Sequence, residues 1–258
     1  MRNYRYRGYL IDLDGTLFRG KEVIPEGLQF IEKLEERGLS YLYLTNNSSR
    51  RPEQVAEKLR GFGYPAHPEQ VVTSSAATAR TLVESFGRPP SVYPIGEEGL
   101  VCALEGAGCR IVTDRPDAVV VGIDRTFSYD KMKTAVLAIR AGARYFGTNG
   151  DLVLPTEEGL LPGSGSLCTA VAVASGVKPT LIGKPEKPIV DMALKRLGLP
   201  PEETVIVGDN LATDIQAGVN TGIDTLLVFT GVTTPKEHAG ADISATYTLD
   251  SLKDWDFI

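Results

Sequence analysis

The sequence predicts an α/β protein: a parallel sheet with helices on both faces, interrupted by a smaller inserted α/β unit. Three observations carry this expectation. Short, continuous apolar runs alternate with stretches of helical periodicity, the pattern of strands covered on both faces. The runs near the two ends of the chain stop at clusters of carboxylate, hydroxyl, amide or lysine side chains. The middle of the chain repeats the α/β habit without such clusters.

The first run is Tyr9-Leu10-Ile11, ending in Asp12-Leu13-Asp14-Gly15. A helix is expected over Glu26 to Arg37, where Leu28, Ile31 and Leu34 recur near helical spacing and Gly38 supplies a stop. Tyr41 to Leu44 reads as the second strand and ends in Thr45-Asn46-Asn47. A helix from about Pro52 to Gly61 leads to the run Val71-Val72. Towards the end of the chain, Thr180-Leu181-Ile182 stops at Gly183-Lys184-Pro185, Val205 to Val207 at Gly208-Asp209-Asn210, and Thr225 to Phe229 at Thr230-Gly231. Between them, Pro90 to Ile95, Ala118 to Ile123 and Tyr145 to Gly147 read as strands, and Tyr129 to Ala141 as a helix. The expected organisation is a Rossmann-like core formed by residues 1–76 and 179–258, with the inserted unit over 77–178 and hinges near 74–76 and 177–179.

Composition narrows the functional classes. Hydrophobic residues make up 42% and charged residues 23%, an ordinary globular balance that argues against disorder. The formal net charge is −6 and there is no long basic run, which disfavours a nucleic-acid polymer as partner. An anionic ligand would then need a local positive device, such as a metal ion and a lysine. Cys102, Cys109 and Cys168 form no CxxC pair and fit small core residues in a reducing compartment. The opening MRNYRYRGYLIDLDG is too charged for a signal core, and no window approaches the ~20 apolar residues of a membrane span. A soluble, cytoplasmic protein is expected.

In parallel sheets, ligands bind beyond the carboxyl ends of the strands. Asp12, Asp14, Thr45, Lys184 and Asp209 all fall at such ends and are expected to converge. Asp12 and Asp14, two residues apart, can lean towards one site, and Gly15 permits a sharp turn. Thr45-Asn46 suits either a phosphate oxygen or an ordinary helix start. Lys184 offers a compact positive charge. Asp209 is able to join Asp12 in holding a hard cation, and Asp214 either supports that shell or caps the next helix. Gly163 to Ser166 reads as a helix start in preference to an anion cradle. His67 and His238, outside any motif, read as surface residues.

Together the segments DLDGTL, LTNNSS, GIDRTFSYDKM, TNGD, LPGSGSL, IGKPEKP and VGDNLATDIQAG resemble the haloacid-dehalogenase-like hydrolases. Thr45 follows Asp12 by 33 residues and Lys184 follows Thr45 by 139, so a large insertion has room only in the second interval. That order is similar to the NagD and p-nitrophenyl-phosphatase-like family, which carries a C2-type α/β cap there.

The resemblance implies a magnesium-dependent phosphatase acting on small phosphorylated metabolites. Asp12 would be the nucleophile and Asp14 the general acid–base. Thr45, the Asn46 backbone and Lys184 would bind phosphate. Mg2+ would be held by Asp12, the Asp14 carbonyl and Asp209, with Asp214 supporting the shell. Asn47, Asn149, Asp151 and Asn210 are the candidate substrate contacts, Asn149 and Asp151 reading equally well as a structural turn. Oligomeric state is left open by the sequence, a homodimer being compatible with the resemblance. The alternative from another class is a non-catalytic phosphate-binding or regulatory module; the intact set of aspartates with Lys184 disfavours it.

Overall fold

The computed structural model describes residues 4–156 and 158–258. The chain forms two compact units, one of Met1–Thr45, Val55–Val72 and Lys184–Ile258, the other of Asn46–Gln54 and Thr73–Gly183.

The first unit is built on a six-stranded sheet in the order Tyr247–Leu249, Asp224–Val228, Thr204–Gly208, Gly8–Ile11, Ser40–Thr45, Val71–Thr73. The pairings from Tyr247–Leu249 through Ser40–Thr45 are parallel. Gly8–Ile11 lies in the middle, with Ile11 opposite Val207 on one side and Tyr43 on the other. All four of its residues are buried, as are all five of Thr204–Gly208. That is why these strands read as unbroken apolar runs and not as alternating ones. Their register brings Asp12, Asp209 and Thr45 out at the same edge of the sheet.

The helix Pro25–Arg37 turns Gly27, Phe30, Ile31 and Leu34 inward, a single stripe at helical spacing. Proline opens it, where the missing N–H costs nothing, and Gly38 closes it in the left-handed region as expected. Burying each of Phe30, Ile31 and Leu34 contributes roughly 1.5–3 kcal/mol. The end of the chain completes this core: Trp255 and Phe257 are buried, and the Trp255 indole N–H donates to the Tyr9 hydroxyl at 3.2 Å.

The second unit has its own five-stranded sheet, ordered Thr180–Leu181, Arg144–Gly147, Ala118–Val121, Ser91–Ile95, Arg110–Ile111, with every pairing parallel. Thr180–Leu181, read from sequence alongside the strands of the first sheet, pairs here with Phe146 and Gly147. Two paired residues leave no periodic signal that distinguishes one sheet from another. Contact decides it, because Leu181 fills the space left by the missing side chain of Gly147. The helix Tyr129–Arg140 is capped by Ser128, whose hydroxyl accepts from the Lys131 N–H. Gly163 to Ser166 is a helix start as expected, at the head of Ser164–Ser175.

Among the short features not anticipated are the strands Arg110–Ile111 and Tyr247–Leu249, the hairpin Phe18–Arg19 with Glu22–Val23, and the hairpin Val153–Thr156 with Gly159–Pro162. Strands of two to four residues are too short for periodicity to identify. Among the described residues no helix is long and apolar enough to cross a membrane.

Candidate active site

Asp12 follows the central strand directly, and its N–H continues the ladder by donating to the Val207 carbonyl at 2.9 Å. Leu13 and Leu17 are buried and anchor the following turn. Asp14 stands exposed at that turn. Gly15 has φ +87°, and a Cβ there would strike the Asp209 carboxylate. Only glycine meets both demands at once.

Lys184 lies beneath this turn and is 2% exposed. Its ammonium donates to the Asp12 carboxylate, to Asp214 Oδ1 at 2.7 Å and to the Leu44 carbonyl at 3.1 Å. Asp214 is also sealed from solvent, and its other oxygen accepts from the Asn210 N–H at 3.2 Å. It sits in the π-type turn Leu211–Ile215, whose first N–H groups the Asn210 side chain caps by accepting from Ala212 at 2.9 Å. Asp209 is 1% exposed; its carboxylate accepts from the Val232 N–H at 2.6 Å and from the Thr16 hydroxyl at 3.4 Å.

Carboxylate oxygens of Asp12, Asp209 and Asp214 lie within 4.8 Å of one another. One lysine faces three carboxylates. Burial pushes the Asp12 carboxyl well above the usual range, Lys184 opposes the rise, and Asp214 and Asp209 add to it. Burial, then the Asp214 charge, pushes Asp209 up to about 6 against the Val232 N–H and Lys184. Burial lowers the Lys184 pKa, but Asp12 and Asp214 outweigh it and hold it above the ordinary lysine value. Surplus negative charge on hard oxygen donors is what a small divalent cation neutralises, so the residues fit magnesium chemically.

Thr45 ends the strand on the far side of Gly8–Ile11 from Asp209 and is 5% exposed. No helix starts there. The chain runs through a loop whose turn is held by the Asn47 side chain, which accepts from the Ser49 and Arg50 N–H groups at 3.1 and 2.9 Å, and the helix begins at Pro52. Within the second unit, the Asn46 amide donates to Asp151 at 3.0 Å, and the buried Asn149 donates to the Asn46 carbonyl at 2.9 Å. The site residues therefore fall into two sets. Asp12, Asp14, Thr45, Lys184, Asp209, Asn210 and Asp214 belong to the first unit; Asn46, Asn47, Asn149 and Asp151 belong to the second.

Sequence reasoning assigned no role to Thr16 or to residues 230–233. The latter segment closes over Asp209: besides the Val232 contact, the Thr233 N–H donates to the Asp209 carbonyl at 3.1 Å, and Gly231 lies where any Cβ would overlap the carboxylate. The available signal was its place at the carboxyl end of an apolar run.

Buried carboxylates bridged by a lysine at the carboxyl edge of a parallel sheet make up the candidate site, and comparison with known proteins gives the family of the chain. Residues 9–110 match the family model described as haloacid dehalogenase-like hydrolase, and residues 181–255 a second, HAD-hydrolase-like model. The chain is 52% identical to the 5'-nucleotidase YutF of Bacillus subtilis over 97% of both chains. It is 45% identical to the acid sugar phosphatase of Staphylococcus aureus, over 97% of this chain and 96% of that one. The crystal structure of a double mutant of the thermostable NPPase from Geobacillus stearothermophilus superposes with a TM-score of 0.94 at 47% identity, covering 99% of this chain and 100% of that one. The chain belongs to the haloacid-dehalogenase-like hydrolases, and within them to the NagD-like, p-nitrophenyl-phosphatase-like family.

Proposed function

We propose that this protein hydrolyses phosphate monoesters of small metabolites by covalent catalysis at Asp12, with magnesium held by Asp12, the Asp14 carbonyl and Asp209. As an enzyme it is a phosphoric monoester hydrolase. The observation that carries the mechanism is the division of labour among its aspartates: Asp12, Asp209 and Asp214 are clustered around one buried lysine, whereas Asp14 stands exposed.

A phosphate monoester repels a carboxylate, and magnesium held by these residues would supply the charge neutralisation that lets the two approach. An Asp12 oxygen attacks phosphorus in line, the bond to the leaving oxygen breaks, and Asp14 gives that oxygen its proton. Asp14, now a carboxylate, takes a proton from water; the hydroxide oxygen attacks the aspartyl-phosphate, freeing Asp12 and inorganic phosphate. Lys184, Thr45 and the Asn46 backbone stabilise charge on the phosphoryl oxygens. Asp214 holds Lys184 in place and supports the metal shell. The names of the relatives point to nucleoside monophosphates and sugar phosphates as the substrate class. Asn47, Asn149, Asp151 and Asn210 are the positions assigned to selecting among them. The three free cysteines suit a reducing cytoplasm.

Turnover of p-nitrophenyl phosphate with magnesium, its loss after chelation and dialysis, and its abolition in Asp12→Asn test the reading. Acid-quenched enzyme should carry a phosphoryl adduct on the peptide containing Asp12. Phosphate binding without turnover in the wild type would favour a non-catalytic module; near-wild-type turnover in Asp12→Asn would remove Asp12 as nucleophile.

A further inference from the structure

We propose that Thr230 and Arg19 are positioning residues of the metal site, acting through the backbone that carries its ligands. The inference rests on the reading above, that Asp12, the Asp14 carbonyl and Asp209 hold magnesium.

Gly15 is the weak point of that arrangement. It follows Asp14 with φ +87°, and a glycine is free to turn the peptide on either side of it. The Asp14 carbonyl belongs to the peptide on its N-terminal side, so its direction depends on how Gly15 is held. Two contacts pin it. Its N–H donates to the Phe18 carbonyl at 2.8 Å, and its carbonyl accepts from the Thr230 hydroxyl at 2.7 Å. Thr230 is fixed in turn, since the exposed Arg19 donates from Nε to the Thr230 carbonyl at 2.5 Å.

The same four-residue segment holds the other ligand. Val232 and Thr233 donate their N–H groups to the carboxylate and carbonyl of Asp209, and the Thr233 hydroxyl accepts from the Leu211 N–H at 3.1 Å. One loop after the strand Asp224–Val228 thus holds two ligand-bearing loops from two other strands in a common register. Thr230 supplies the half of that tie that reaches Gly15, the residue directly after Asp14. Neither Thr230 nor Arg19 needs to touch a reacting atom; each acts by limiting where the Asp14 carbonyl and Asp209 stand relative to each other. Arg19 also ties the hairpin Phe18–Arg19 with Glu22–Val23 to the same loop.

The test measures magnesium binding by titration calorimetry on the full chain without substrate, alongside the magnesium dependence of kcat. Thr230→Val keeps the shape and removes the donor, whereas Thr230→Ser keeps the donor. Outer-shell partners of metal ligands typically govern ten- to a hundredfold in affinity, so Thr230→Val should weaken magnesium binding by about that factor, with Thr230→Ser within about threefold of wild type. Saturating magnesium should restore most of kcat in Thr230→Val. Arg19→Met, an exposed change with little risk to folding, should weaken binding in the same direction. Asp209→Asn is the reference. If Asp209→Asn binds magnesium as wild type does, the reading of the metal site fails. If Asp209→Asn weakens binding but Thr230→Val and Arg19→Met do not, the positioning role is overturned. Equal losses in Thr230→Val and Thr230→Ser would also overturn it, because the hydroxyl would then be irrelevant. Should Thr230→Val fail to fold, Arg19→Met and Thr230→Ser decide: weakened binding in the first with retained binding in the second supports the tie, and any other pair of results overturns it.

Discussion

Lys184 and Asp214 meet at 2.7 Å beneath the carboxyl edge of the first sheet, with 2% and 1% of their side chains exposed. The lysine is shared with Asp12, so one ammonium serves two carboxylates. Removing it leaves both without their buried counter-charge. Lys184→Met should destabilise the protein by about 3–5 kcal/mol, the usual scale for breaking a buried pair from one side. Urea unfolding measures this. Lys184→Met combined with Asp214→Asn should lose less than the two single changes summed, since the neutral amide needs no counter-charge. Strict additivity would mean the two side chains do not act as a pair.

Asp14→Asn should slow hydrolysis roughly 10²–10⁴-fold, the range for general acid–base catalysis. Its magnesium affinity should stay near wild type, because only the backbone carbonyl is assigned to the metal. The loss should be smaller for p-nitrophenyl phosphate than for an alkyl phosphate, whose leaving oxygen needs its proton more. Steady-state kinetics on the pair checks this; identical losses would take the leaving-group proton away from Asp14.

The segment GIDRTFSYDKM contains a pH-dependent contact inside the second unit. Asp124 is buried and accepts from the Lys131 ammonium at 2.6 Å and from the Thr126 hydroxyl and N–H at 2.7 and 2.8 Å. Burial alone would raise its pKa, but these donors outweigh burial and hold it below the ordinary value of 3.8. A carboxyl with a lower pKa folded than unfolded stabilises the protein above the unfolded pKa and loses that contribution as pH falls through the folded one. Asp124→Asn should therefore cost about 1.5–3 kcal/mol at neutral pH, the scale of hydrogen bonds to charged groups. The gap to wild type should narrow on acidification below 3.8. Thermal unfolding at several pH values reads this directly; a gap that widens in acid would contradict it.

Asp151 accepts from the Asn46 amide, and Asn149 donates to the Asn46 carbonyl. If these residues choose among leaving groups, Asp151→Ala should reorder kcat/KM across a nucleoside monophosphate, a sugar phosphate and p-nitrophenyl phosphate. An equal factor on all three would assign Asp151 to holding Asn46 and not to selecting substrates.

Much of this protein is legible in its sequence because its strands are buried on both faces. Residues 9–11 and 205–207 are buried and apolar throughout, so the polar residues that follow them, Asp12, Asp14 and Asp209, stand out. The helix Pro25–Arg37 is equally plain, since its inward stripe and its stop at Gly38 are local properties. What the sequence by itself determined is this alternation of elements, the polar residues at the strand ends and the family they resemble. Tertiary structure alone decided that Lys184 is shared between Asp12 and Asp214, that Thr180–Leu181 joins the second sheet, and that Thr230 reaches back to Gly15. The reason is range. Burial and helix-stop preferences act within a few residues and leave a periodic trace, whereas Lys184 finds Asp12 and Thr230 finds Gly15 across most of the chain, through contacts that exist only once the strands are in register.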